Sequence, residues 1–238
     1  MLTRMKRAIA RRRMVNIYRS MRKRSPDEFS WAETVISRIN PSGAVNEGGG
    51  EMRPLKLVEL RRLLDQHKPD SALEMGTGGT TAVMVDYGMR TGARIVCMDE
   101  HEQWLENSKT VAGGSEAPPN IRFLRRDKLL DLSTKPTTSR FDPVIEEEFD
   151  FVFIDGPSFR DEKNVPYRGV NTDIFTIHER RPPKVIVVDL RMETVHAIAE
   201  RLGKQYKVTE TDRHMPHTKS IDAPLNYYST FVRNELVK

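Results

Sequence analysis

Leu73-Glu74-Met75-Gly76-Thr77-Gly78-Gly79-Thr80-Thr81 is the stretch whose reading decides the fold. It follows an apolar run, 71–75 (SALEM), that reads as a strand, and it precedes 80–91, which reads as a helix. Glycines at such a junction let the backbone turn tightly and approach a ligand with no Cβ in the way. A dinucleotide fingerprint needs its last glycine at position 81, where this chain has Thr81, so no pyrophosphate cradle is spelled out. An acid two positions before the first glycine, as Glu74 is, suits instead a cofactor that carries an ammonium group.

Outward from this loop, strands and helices alternate, the pattern of a parallel sheet covered on both faces. The further strand candidates are 94–98 (RIVCM), 121–125 (IRFLR), 149–154 (FDFVFI) and 184–188 (KVIVV), then a closing pair, 205–210 and 226–233, joined by a polar, Pro-containing connection. Residues 101–112 read as a helix, and Val195, Ile198, Ala199 and Leu202, at i, i+3, i+4 and i+7, mark another over 193–203. Upstream, 26–40 reads as a helix with Trp31, Val35, Ile36 and Ile39 as its apolar positions, and PSGAVNEGGG over 41–50 breaks it. Leu57, Leu60, Leu63 and Leu64 then resume a helical spacing. The expected organisation is a basic helical extension with a Gly-rich linker over 1–50 and one α/β domain over 51–238.

The chain has 238 residues, 37% hydrophobic and 31% charged, the composition of a soluble globular protein with room for one such domain. Its single cysteine, Cys97, excludes a disulfide framework and any CxxC site, and falls inside the second strand as a small buried thiol. No apolar run is long enough to span a membrane as a helix. The formal charge of +5 is unevenly placed: ten of the 39 basic residues lie in 1–24 with no acid, so 25–238 carry 29 basic against 34 acidic residues. That surplus fits peripheral contact with anionic lipid, organellar targeting, or a solvated helix on the domain. The acidic body argues against nucleic acid as a partner, and the expected location is cytoplasmic, with membrane contact and targeting left open.

Acids mark the ends of the strands. Asp99 ends the second strand, 23 residues after Gly76, where a carboxylate can accept both hydroxyls of a ribose, although an acid at a strand end is also an ordinary loop residue. Asp127 follows the third strand, where a side chain meets an adenine amino group or pairs with Arg125, Arg126 or Lys128. With ExGxGG after strand one, an acid after strand two and FDFVFIDGP ending strand four, residues 55–233 resemble the class I S-adenosylmethionine-dependent methyltransferases. The resemblance implies a Rossmann-like, mostly parallel seven-stranded sheet of order 3-2-1-4-5-7-6, with strand seven antiparallel and helices on both faces. It implies that Glu74, Gly76, Thr77, Gly78 and Thr80 contact the methionine part of the cofactor, that Asp99 serves the ribose and Asp127 the adenine, and that Glu100 and Asp155 also belong to the cofactor site. The family's third loop glycine is replaced by Thr80. The DGP after strand four and a second Asp after strand five look most like small-molecule O-methyltransferases, including those acting on sugars or polysaccharides.

That second acid is Asp189, and with Asp155 it makes the expected catalytic pair at the carboxyl ends of strands four and five, where open α/β sheets bind ligands. For a hydroxyl acceptor, one of the two serves as general base, or both hold a divalent cation such as Mg²⁺ that lowers the acceptor's pKa. Catechol-type enzymes carry Asp-Asn after strand five, whereas here Leu190 follows Asp189. The long segment 156–173 is expected to cover this end, and Arg160, Arg168 and Arg191 either bind an anionic acceptor or pair with nearby acids. His214 and His217, in the connection between the closing strands, lack a third ligand at metal spacing. No (Asp/Asn)-Pro-Pro-aromatic motif points to amino-methylation, and Cys97 is misplaced for cytosine C5 chemistry. The leading expectation is O-methylation of a small-molecule or saccharide acceptor. The rivals are a non-catalytic scaffold of the same fold that touches membranes through 1–24, and a nucleic-acid methyltransferase that uses 1–24 as a basic arm.

Overall fold

The computed structural model describes residues 16, 19–39, 53–111, 118–189, 191–209 and 228–236. Most of the basic segment 1–24 with its expected membrane or targeting role, the Gly-rich stretch 41–50, and His214 and His217 lie outside these residues.

Seven strands form the main sheet: β1 (Ser71–Met75), β2 (Arg94–Asp99), β3 (Ile121–Arg125), β6 (Phe151–Ile154), β8 (Val185–Val188), β9 (Tyr206–Thr209) and β10 (Ser229–Arg233). Their order is β3-β2-β1-β6-β8-β10-β9, and β10 alone runs antiparallel, to both β8 and β9. Counted within this sheet, that is 3-2-1-4-5-7-6, the order expected. β6 starts two residues later than the sequence pattern suggests; Asp150, just before it, is a buried acid between Arg181 and Lys184 whose N–H donates to the Ser71 carbonyl and whose carbonyl accepts the Val185 N–H.

The central strands are buried along their whole length, as strands covered on both faces must be. Alternation along them builds two cores. Ala72, Ile95, Cys97, Phe151 and Phe153 face one side, under the helices Arg53–His67 and Thr81–Thr91. Leu73, Val96, Val152 and Ile186 face the other, against Asp173–Arg180 and Met192–Leu202. The folded body does not begin at residue 51. Helix Pro26–Ile39 contributes Phe29, Ala32 and Val35 to the first core, and Arg61 lies 4.6 Å from the Trp31 ring. Its apolar stripe is thus covered by the helix that follows the linker, and the expected boundary moves upstream of it.

A second sheet has no counterpart among the strands expected from the sequence. β4 (Asp127–Asp131), β5 (Thr137–Asp142) and β7 (Gly169–Asn171) pair in the order β4-β5-β7. β4 and β5 are half exposed and β7, though buried, is three residues long, so they carry little of the apolar signal that announces a buried strand. Asn171 docks this sheet on the main body: its amide Nδ2 donates to the Gly156 carbonyl (2.9 Å) and its backbone N–H to Thr194 Oγ1 (2.9 Å). No described helix is long and apolar enough to cross a membrane.

Candidate functional site

The turn after β1 is set by one backbone requirement. Gly76 has φ of +90°, and a Cβ there would fall 2.6 Å from the carbonyl carbon of Asp155 and 2.6 Å from the nitrogen of Gly156. A Cβ on Gly156 would in turn lie 2.5 Å from the Gly76 Cα, so the turns after β1 and β6 touch backbone to backbone. Gly78 differs: a Cβ there meets nothing within 4 Å, which leaves the outer side of the loop open to a ligand.

Glu74 holds this loop from beneath. Alternation puts it on the same face as its cross-strand neighbour Cys97, under the start of helix Thr81–Thr91, where it is fully buried and accepts the Thr80 hydroxyl at 2.6 Å. Burial raises its pKa to about 7, against the pull of the Thr80 and Thr81 hydroxyls. Glu74 and Thr80 therefore position the glycine turn and do not face its open side.

Asp99 stands at the neighbouring strand end and is 5% exposed. Its Oδ2 accepts the Thr77 N–H (2.7 Å) and hydroxyl (3.0 Å), and its Oδ1 accepts the His101 N–H (2.8 Å). These donors are neutral and mostly main-chain, and they fix the carboxylate's orientation. Glu100 turns the other way and accepts the Ser158 N–H at 2.9 Å, tying the end of β2 to the acceptor segment. Asp127 is not brought to the site. It opens β4 with its side chain 66% exposed and paired with Arg125, while the next residue, Lys128, points inward and donates to Ser158 Oγ and the Arg160 carbonyl, both at 2.8 Å.

Across the Gly76–Gly156 contact lie the two acceptor-side acids. Asp155 follows β6 and Asp189 follows β8, and the ammonium of Lys56 reaches both, in contact with Asp189 Oδ2 and 3.5 Å from Asp155 Oδ2. Asp189 is 5% exposed. Burial raises the Asp155 pKa to about 6; Lys56 opposes that rise, Asp189 adds to it and Arg191 opposes it. Arg191 donates to the carbonyls of Asp155 and Pro157 (2.8 Å to the latter) and lies 5.1 Å over the Phe159 ring. Burial holds its pKa below the usual arginine value.

A cavity of about 560 Å³ opens beside these acids, bounded by Phe159, Arg160, Tyr167, Arg168, Asp155 and Asp189 among others. All three expected arginines line it, but they are not equivalent. Arg191 is committed to main-chain carbonyls, Arg160 bonds the carbonyl of Asn164 (3.0 Å), and Arg168 is 91% exposed, 3.9 Å from Glu193. With Glu193, Asp155 and Asp189 in the same wall, the lining offers no net positive charge for an anionic acceptor.

The pair Asp155 and Asp189 does not fit a Mg²⁺ site. Magnesium needs an octahedron of oxygens, whereas here an ammonium lies against both carboxylates, and the described residues contain no group of three or more His, Cys, Asp or Glu suited to a metal. Lys56 is the side chain of this cluster that sequence reasoning missed. It lies 99 and 133 positions from its partners, and its one local signal is a lysine set among the buried residues Leu55, Leu57 and Val58.

No family model and no curated protein matches the sequence. Similar solved structures include the SAH-bound methyltransferase PaMTH1 of Podospora anserina, 13% identical, covering 87% of this chain and 88% of that one with a TM-score of 0.49. The O-methyltransferase of Bacillus cereus in complex with SAH is 16% identical over 86% of this chain and 91% of that one, TM-score 0.49. The N-methyltransferase NodS of Bradyrhizobium japonicum is 14% identical over 75% and 94%, TM-score 0.43. The fold stands on the chain's own hydrogen-bonded ladders, a seven-stranded sheet of order β3-β2-β1-β6-β8-β10-β9.

Proposed function

We propose that this protein is an S-adenosylmethionine-dependent methyltransferase that acts on an oxygen of a small-molecule acceptor, saccharides included. One observation carries the reading: the Gly76 turn, Asp99 and the Asp155–Asp189 pair meet at the carboxyl end of one sheet beside a cavity of about 560 Å³. The open side of Gly78 leaves room for the methionine part of the cofactor, and the fixed Asp99 carboxylate suits its ribose hydroxyls. Bound there, the cofactor supplies an electrophilic methyl group. Asp155, with its pKa raised to about 6, is matched to take the proton of an acceptor hydroxyl near neutral pH. Arg191 fixes the carbonyls on either side of Gly156 and so holds the Asp155 turn in place, while Phe159 and Tyr167 offer flat walls to a ring-shaped acceptor.

Calorimetry tests the cofactor part: S-adenosylmethionine and S-adenosylhomocysteine bind the wild type, and Asp99→Ala weakens both by about 10-fold or more. Absence of binding to the wild type overturns the reading. The acceptor part is tested by release of S-adenosylhomocysteine in the presence of a pool of phenols, hydroxy acids and monosaccharides, with Asp155→Asn as the variant expected to bind cofactor and not turn over.

A further inference from the structure

We infer that Lys56 is the fixed cation of this site, standing between Asp155 and Asp189 in the role a divalent metal would fill, and that acceptor chemistry here is metal-independent. The inference rests on the methyltransferase reading above and adds to it the charge that the acceptor oxygen meets.

The lysine is placed by its backbone. Its carbonyl accepts the hydroxyl of Tyr228 at 2.9 Å, and the Tyr228 ring packs edge-on to Phe153 with centroids 5.4 Å apart. Its neighbours Leu55, Leu57 and Val58 are buried in the first core, so the helix cannot roll to release it. A surface lysine lays its stem on apolar residues and carries its ammonium out to water. This one is directed over the ends of β6 and β8 and stops on two carboxylates, with its own side chain 21% exposed and that of Asp189 6% exposed.

The electrostatics follow from that placement. Two carboxylates this close cannot both stay ionised without compensation. The Lys56 ammonium supplies it from the helix side, and the Arg191 guanidinium, 3.9 Å from Asp155 Oδ1, from the strand side. A positive charge already in place where an acceptor oxygen loses its proton stabilises the developing anion with no reorganisation, the same service a bound metal gives. An ammonium does this as a point charge and requires no octahedron of ligands, which the pair Asp155 and Asp189, followed by Leu190, does not supply.

Titration of Mn²⁺ into the full-length protein with S-adenosylhomocysteine present, followed by water-proton relaxation, reads the metal directly. No stoichiometric site is expected, and a one-equivalent site that disappears in Asp189→Asn overturns the inference. This arm uses the folded wild-type chain, so it decides even where a lysine variant fails to fold. The second arm measures turnover against the acceptor pool named above. Wild-type activity persists in EDTA; Lys56→Met keeps its affinity for S-adenosylhomocysteine but loses about 100-fold in kcat; and Lys56→Ala regains activity with added ethylammonium, which a purely structural lysine does not allow. Activity lost to EDTA and restored by Mg²⁺, or wild-type turnover in Lys56→Met, overturns it. Failure of the wild type to bind S-adenosylhomocysteine instead removes the methyltransferase reading and is independent of the metal result.

Discussion

The two acid-bearing ends of the sheet are built in opposite ways. On the cofactor side, Asp99 is held by main-chain N–H groups and a hydroxyl from residues within about one turn of it or in the adjacent loop. On the acceptor side, Asp155 and Asp189 are held by cations, one of them carried in from a helix more than a hundred residues from Asp189. Backbone donors fix an orientation and leave the charge to the incoming ligand, whereas an ammonium fixes the charge balance itself. In the proposed reading the cofactor end is a rigid cradle and the acceptor end an electrostatic device, and the two touch backbone to backbone at Gly76 and Gly156.

The largest effect expected lies at that meeting point. Gly76→Ala combines a positive φ with a Cβ driven into the Asp155–Gly156 backbone and should cost about 4 kcal/mol in chemical unfolding. Gly78→Ala, facing open space, should change stability by less than about 1 kcal/mol yet weaken S-adenosylhomocysteine binding. Equal destabilisation by the two would erase the distinction between a packed turn and an open one. Next comes Lys56→Met, which removes the ammonium in contact with the buried Asp189 carboxylate and should lower stability by about 3 kcal/mol. Adding Asp189→Asn should recover much of that loss, and a double variant as unstable as the single one would show that the lysine's aliphatic stem, not its charge, matters. A pH effect is expected beneath the cradle. The folded chain holds the Glu74 proton up to about pH 7 and the unfolded chain releases it near 4.5, so this group makes stability fall as pH rises between those values and stay level above. Glu74→Gln should flatten that part of the melting-temperature profile. Smallest of all, Asp127→Ala should leave affinity for S-adenosylhomocysteine unchanged by calorimetry, because its exposed side chain pairs only with Arg125 at the surface.

The same contrast explains what could be read from the chain in advance. The central strands of the main sheet announce themselves as apolar runs because both faces are buried, and the Gly76 turn and Asp99 belong to local patterns whose meaning is set by their immediate neighbours. Strand alternation, applied residue by residue, also explains two displacements. It sends Glu74 under the loop beside Cys97, and it sends Asp127 outward while Lys128 turns in. The remaining features depend on contacts far apart in sequence. Lys56 meets its two carboxylates only when the helix before β1 is laid across the ends of β6 and β8, and β7 joins β5 where Gly169 lets it come close to Thr137. A Cβ at Gly169 would lie 2.4 Å from the Thr137 carbonyl oxygen. The helix Pro26–Ile39 reads correctly as a helix, but its membership of the core is written in the packing of Phe29, Ala32 and Val35 and not in the linker that follows it.

The contact between Gly76 and Gly156 also sets the rules for altering what the protein accepts. Since no side chain separates the two turns, neither can be lengthened or re-aimed without moving the other, and the stretch from Asp155 to Pro157 must be kept whole in any exchange. The segment beyond it is different: Arg160 and Pro166 bridge its two arms, and Asp161 closes its tip by accepting the N–H groups of Lys163 and Val165. Residues 158–168 therefore form a cassette closed on itself and clipped to the body by side chains, at Glu100, Lys128, Arg191 and Glu193, and under the proposed reading its exchange is expected to redraw the acceptor cavity while the Gly76 turn keeps its shape.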